Sequence, residues 1–341
     1  MHEIRVNKQG RKISFEKIVL ILIYSEKNRF FVKIFLEMFK KRKTVLQNMT
    51  YIALMSAVNV IFVLLTTLVP FLFVLIIFLL PLTSVIVYCF CKKRFFPIYA
   101  VATVGLCLIF NLWKITDTIF YVIPSMITGL IFGIFIEKKV PVFYTLFVST
   151  IVSIGMTYAS FPLIKLIVEI DTIDYFLKLF GLSEYAYKDF LPPLFIFVIS
   201  SIQMVLTYLI IKDEVIKLGI EINDDDSSTW VLTIMETSFI ILSIVFAFIY
   251  GPVSFLLFGC ALYVSIYQCV LLFVINKKIF LISFGSAIVV EIFLYAILNS
   301  HINKPYSYLI ILAIPLIINI VSISNYCLEI FRNKDKLNKE Q

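Results

Sequence analysis

The sequence predicts an all-α, polytopic membrane protein of about ten transmembrane helices, a six-helix bundle followed by four C-terminal helices. Three observations carry this. Of 341 residues, 61% are hydrophobic and only 15% charged, against about 45–50% apolar and about 25% charged in soluble domains. The stretch from Thr50 to Cys91 holds no Asp, Glu, Lys, Arg or His. The remaining apolar runs are separated by mostly short junctions, and every second one is basic except the acidic 212–229 linker.

A bilayer core takes roughly 20 apolar helical residues to cross, and Thr50–Cys91 is about twice that length with Pro70 in the middle. Two antiparallel helices, near 50–69 and 71–91, account for it. They place Lys40-Lys41-Arg42-Lys43 and Lys92-Lys93-Arg94 on one side. The alternative is one over-long kinked helix with the two clusters on opposite sides.

The third span runs near 97–112 and opens on Pro97, a favoured first-turn residue. Trp113–Asp117 makes a turn. The fourth span runs near 118–136 and ends at Glu137-Lys138-Lys139; the fifth runs from Pro141 to about Pro162. Residues 163–189 form the longest outer segment. Within it Ile170, Ile173, Phe176, Leu177 and Phe180 have the spacing of an amphipathic helix, stopped at Gly181. Pro192-Pro193 opens the sixth span, near 191–211. The later spans lie near 230–250, 253–275, 279–299 and 305–327.

The domain boundaries follow. Residues 1–49 are a basic cytoplasmic or interfacial segment, in which Lys27–Phe31 and Phe35–Phe39 mix cations with rings suited to lipid headgroups. Met38, followed by Lys-rich sequence and the first span, is an alternative start, and nothing before it has the form of a cleaved secretory signal. Residues 50–211 are the six-helix membrane domain. Residues 212–229 are an acidic linker carrying Asp224-Asp225-Asp226, and residues 230–327 are the four-helix domain. Residues 328–341 are a basic tail. With ten spans, Lys92–Arg94, Lys138-Lys139, Lys277-Lys278 and the tail share one side. The turns at Pro70, Trp113–Asp117, Gly251-Pro252 and His301–Lys304 share the other. The positive-inside bias makes the first side cytoplasmic, with both termini there and the plasma membrane as location.

The net charge of +8 is spent at helix ends beside anionic lipid, so the expected partner is the bilayer and not nucleic acid. The six cysteines lie in or beside apolar runs without a C-x-x-C pair and read as small buried hydrophobes. Most catalytic constellations are absent. His2 and His301 are the only histidines. There is no P-loop and no H-E-x-x-H. The expectation is a non-enzymatic protein with no cofactor and no metal.

Two carboxylates sit inside apolar spans, where ionisable groups are costly and functional by default. Glu291 lies deep, between Ile288-Val289-Val290 and Ile292-Phe293-Leu294; Glu236 lies nearer the cytoplasmic end and reads equally as an interfacial residue. Asn59, Asn111, Gln203, Gln268 and Asn319 either line a polar cavity or make interhelical hydrogen bonds of about 1 kcal/mol; the second reading is preferred for most. Ser125, Gly129 and Gly133, each four apart, make one flat face for close helix approach. Ala53 and Ala57 make a second small-residue face on the first span. Ordinary internal packing competes as the reading of both.

The opening Lys43–Ala57 resembles the first helix of substrate-binding (S) components of energy-coupling-factor (ECF) transporters. In that family an A-x-x-x-A face meets the transmembrane T subunit, and Ala53 and Ala57 match it. The resemblance covers roughly residues 43–212, including Pro81 before a basic turn and Gly129-x-x-x-Gly133. It implies a compact six-helix fold, with a T subunit and ATPases as partners. Over the whole chain the pattern resembles the YybS-type bacterial membrane proteins, a family related to S components with extra C-terminal helices. Tyr263–Lys278 and Ile318–Lys334 carry that likeness, and Cys269 departs from the glycine expected after Gln268. These resemblances imply capture of an unknown small molecule, a vitamin or metabolite, at an outward-facing pocket under residues 163–189, among the first and the fourth to sixth spans. Two other classes stay open: a non-transporting envelope scaffold, and an ion- or proton-coupled carrier using Glu291.

Overall fold

The computed structural model describes residues 42–69, 71–169, 171–179, 181, 191–220, 222, 228–298 and 306–340. Among these it is helical, with no strand. The helices are α1 (Val45–Leu68), α2 (Leu72–Phe90), α3 (Phe96–Phe110), α4 (Ile123–Glu137), α5 (Val142–Val168), α6 (Thr172–Leu179), α7 (Leu191–Lys217), α8 (Thr229–Ile249), α9 (Gly251–Ile275), α10 (Lys277–Leu298) and α11 (Ala313–Glu340). Nine described helical stretches are long and apolar enough to cross a bilayer. The tenth, α2, has 19 residues. At 1.5 Å per residue it reaches about 28 Å, close to the hydrocarbon thickness of about 30 Å. The outward faces agree: Leu68, Phe248 and Val274 are three-quarters exposed or more. Such an apolar exterior suits lipid and not water. The chain is an integral, multi-pass membrane protein in contact with the bilayer.

The stretch 50–91 is the antiparallel hairpin and not a single long helix. The Arg42 amide donates to the Phe90 carbonyl at 2.8 Å. The Lys92 amide donates to Asn48 Oδ1 at 2.9 Å. The start of α1 therefore lies beside the end of α2, which brings both basic clusters to one end. The turn residue Pro70 lies outside the described residues, as do Lys27–Phe39, Asp224–Asp226 and His301–Lys304.

The other junctions alternate as the charge pattern predicts. Lys93 Nζ meets Glu137 Oε2 at 2.8 Å, joining the end of α2 to the end of α4. Leu218 and Ile220, just past α7, pack on the cluster containing Cys91 and Phe95. The Phe143 ring near the start of α5 lies 4.6 Å from that of Tyr267 near the end of α9. Trp230 at the start of α8 lies 6.2 Å from Tyr326 on α11. All of these mark one end of the molecule, the basic end. The far end carries Asn111–Asp117, the segment around α6, and Tyr250.

Several boundaries move. α1 begins at Val45 and not Thr50, because Thr44 and Gln47 form a capping box: the Gln47 amide donates to Thr44 Oγ1 at 3.2 Å, and the Thr44 amide to Gln47 Oε1 at 3.3 Å. The turn expected at Trp113–Asp117 is shorter, since helix resumes at Ile115 and runs through a π-helical Thr118–Val122 into α4. α5 does not end at Pro162 but continues to Val168, closing on Glu169 at φ 60°. α7 continues to Lys217, so the linker begins at Leu218, where Gly219 takes φ 79°. Gly251-Pro252 is the first turn of α9, not a loop, with Tyr250 alone as the corner. Asn276 is the corresponding corner before α10. Its Oδ1 accepts from the Lys278 and Ile279 amides at 3.1 and 3.2 Å. The tail is the helical continuation of α11 to Glu340.

The small-residue face of α4 packs internally. A Cβ on Gly129 would stand 2.5 Å from the Pro81 carbonyl oxygen and 2.6 Å from Ser84 Cβ; one on Gly133 would meet the Tyr88 ring. α2 and α4 are thereby in backbone contact. A second seam joins the six-helix part to the last four. Phe143, Phe147, Phe197, Leu232, Cys260 and Val264 are buried together, and Gly259 admits the Phe197 ring at 3.2 Å from where its Cβ would be. The two halves share a core, not only a linker.

Candidate functional site

A cavity of about 400 Å³ opens in the far-end half of the six-helix part. Its walls come from α2 (Ile77), the π-turn (Phe120, Tyr121), α4 (Pro124, Ser125), α5 (Ser153, Thr157, Phe161), α6 (Thr172, Ile173) and the first half of α7 (Pro192 to Gln203). It lies under the 163–189 segment, as expected, but α1 contributes no lining residue. α1 instead packs beside α3, tied by the Ser56–Thr103 hydroxyl pair at 2.8 Å, and is held away from the cavity.

Local chemistry shapes each wall. The π-turn and Pro124 widen the start of α4, and Ser160 Oγ reaches the Ile119 carbonyl at 3.4 Å. Ser160 also donates to Met156 O at 2.8 Å, and Thr157 to Ser153 O at 2.9 Å, which satisfies the Thr157 hydroxyl within its own helix. α6 is pinned over the opening. Lys165 Nζ reaches Asp171 Oδ2 at 2.8 Å, and Asp171 Oδ1 accepts the Asp174 amide at 3.2 Å. The Lys165 ammonium, seconded by that amide, holds the Asp171 carboxyl below the usual carboxylate range. Among the described residues that line it, none is charged. Aromatic and aliphatic surface with a few hydroxyls and one amide, in this volume, is the make-up common to small-molecule pockets.

The singled-out residues fall in different places. Gln203 and Ser125 line the cavity, while Gly129 and Gly133 lie further along α4 against α2. Asn59 is structural: its Nδ2 donates to the Tyr99 hydroxyl at 2.7 Å, its Oδ1 accepts from Thr83 at 2.8 Å, and Tyr99 donates to Thr83 at 3.0 Å. Asn111 is structural too, accepting from Thr67 at 3.2 Å and donating to the Lys114 carbonyl at 3.2 Å. Ala53 and Ala57 are exposed on the outer face of α1, beside Leu54 and Ile61. They are not consumed by internal packing.

The two intramembrane carboxylates differ in burial. Glu291 is half-buried on α10, whose only fully buried residues are Ser283 and Ala287. Glu236 is wholly buried between helices, together with Gln268. Position along a span gave depth but not face. Phe120, Tyr121, Thr157, Phe161 and Ser200 were not singled out. Their signal was available: hydroxyl and aromatic residues recurring at helical spacing in the far-end halves of α5 and α7. Comparison with protein-family models, curated proteins and solved structures gave no match.

Proposed function

We propose that the protein captures a small, uncharged molecule in the far-end cavity, in the manner of an S component, and depends on partner subunits for energy. The cavity under α6 is the observation that carries this reading. Its volume, apolar walls and few polar groups match small-molecule sites. Two further features support it. The Ala53/Ala57 face is open to the membrane, where small residues allow a partner helix to approach closely. The sequence has no nucleotide-binding loop. On the positive-inside bias the basic end lies in the cytosol, so the cavity opens outward from the plasma membrane.

One preparation tests both parts. The tagged protein is purified from native membranes, its co-purifying subunits are identified, and its melting temperature is read across a panel of uncharged vitamins and metabolites. A saturable rise with one compound is expected, as is co-purification of a membrane subunit that Ala53→Leu with Ala57→Leu removes. A flat panel sinks the capture reading. Unchanged co-purification of that variant sinks the partner surface.

A further inference from the structure

A second polar centre lies in the last four helices, near the basic end. Three helices each contribute a pair of side chains three residues apart: Thr233 and Glu236 on α8, Ser265 and Gln268 on α9, Asn319 and Ser322 on α11. Residues at that spacing share one helix face. All six are less than a tenth exposed, Glu236 at 0% and Gln268 at 1%. Asn319 Nδ2 binds α11 to α8, donating to the Thr233 carbonyl at 3.3 Å and to Thr237 Oγ1 at 2.9 Å. Gln268 and Ser322 line a cavity of about 30 Å³ with Leu232 and Tyr326. Glu236 lies one turn further along α8, facing the Ser265 hydroxyl.

What sets this centre apart is its unmet demand. Among the described residues, Thr233 Oγ1, Gln268 Oε1 and Nε2, Asn319 Oδ1 and Ser322 Oγ have no hydrogen-bond partner, and the Glu236 carboxylate meets no donor but the Ser265 hydroxyl. Buried polar groups are normally paired, and leaving one unpaired costs about 1–3 kcal/mol. The Asn59–Thr83–Tyr99 network in the front bundle has its partners; hydroxyls such as those of Tyr51 and Thr118 lack them there among the described residues, whereas in the back bundle both amide atoms of Gln268 are among the unpaired groups. Between residues 229 and 275, and between 306 and 331, there is no Lys, Arg or His to balance Glu236.

We propose that this centre binds one partly dehydrated monovalent cation, with sodium as the ion tested. The oxygens on these helix faces are one carboxylate, two amide carbonyls and three hydroxyls, of which those of Gln268 and Ser322 belong to residues lining the small cavity. Oxygen sets of this kind suit hard cations. A single carboxylate balances one positive charge, whereas a divalent ion would leave net charge in an apolar span. Among the described residues no group of three His, Cys, Asp or Glu could hold a metal. The small cavity admits an ion or one water.

The test is the melting temperature of the purified full chain, with sodium chloride replaced by choline chloride at constant ionic strength. A ligand that binds only the folded state raises stability in a saturable way. Wild type should melt higher in sodium than in choline, with saturation. Glu236→Gln and Gln268→Leu should lose that increment, and Glu291→Gln should keep it. Should Glu236→Gln not fold, Ser322→Ala gives the second reading, as a weaker sodium increment at half-saturating salt. Equal melting of wild type in the two salts means that the centre holds water only and overturns the proposal. So does a full sodium increment in Glu236→Gln.

Discussion

Gly129→Ala is expected to cut folded yield and melting temperature sharply, and Gly133→Ala much less. Both residues lie on the α4 face that meets α2, but they meet different atoms. The Cβ of an alanine at position 129 would fall 2.5 Å from the Pro81 carbonyl oxygen and 3.1 Å from Pro81 Cα. These are backbone atoms of a packed helix and cannot step aside, so α2 and α4 must separate. Overpacking costs typically about 1–3 kcal/mol, and here the seam behind the capture cavity would open as well. At position 133 the obstacle is the Tyr88 side chain, its Cδ1 at 2.8 Å and its Cβ and Cγ at 3.0 Å, which can tilt away more easily than a backbone carbonyl. Gly105 and Gly155 have nothing within 4 Å of an added Cβ. Alanine there should be neutral or slightly stabilising, since it favours the helix by up to about 1 kcal/mol. Thermal unfolding of the four variants in detergent checks the order. Equal losses at positions 129 and 155 would contradict the α2–α4 contact.

Thr157→Trp is expected to abolish ligand capture while leaving the protein folded. Thr157 is half-buried on α5 and points into the cavity. Among the described residues its hydroxyl is bonded only to the Ser153 carbonyl of its own helix, so replacement breaks no described bond between helices. An indole there occupies space between Phe161, Ile196 and Gln203 that the ligand needs. The compound that stabilises wild type should give no shift with Thr157→Trp, whose melting temperature without ligand stays close to wild type. Undiminished binding would place the ligand elsewhere.

The hairpin of α1 and α2 was readable because a charge-free run of double length between cationic clusters leaves few ways to fold. The start of α1 was misplaced because apolarity was weighed over capping, although Thr44-x-x-Gln47 is a capping signature. Pro162 misled for a physical reason. Proline removes one backbone donor, but in a span neighbouring helices and hydroxyl side chains can re-satisfy the freed groups, so the helix need not stop. The small-residue stripes were visible as stripes, yet only packing separated the inward one at Gly129 from the outward one at Ala53. Glu236 and Glu291 show the same limit. Hydropathy gives depth in the bilayer, but which side of a helix meets its neighbours is decided by helices far away in sequence. The cavity is harder still to read, since its walls are drawn from six elements, each ordinary alone.

The most direct test of the account is thiol labelling from outside intact cells, in a variant with its native cysteines replaced. Thr157→Cys, in the cavity, and Asn276→Cys, at the basic end, are compared using a membrane-impermeant maleimide. The account predicts that Thr157→Cys reacts in intact cells and is protected by the captured molecule, while Asn276→Cys reacts only after permeabilisation. Labelling of Asn276→Cys from outside, with Thr157→Cys silent until the membrane is opened, would contradict both the orientation and the outward-facing site.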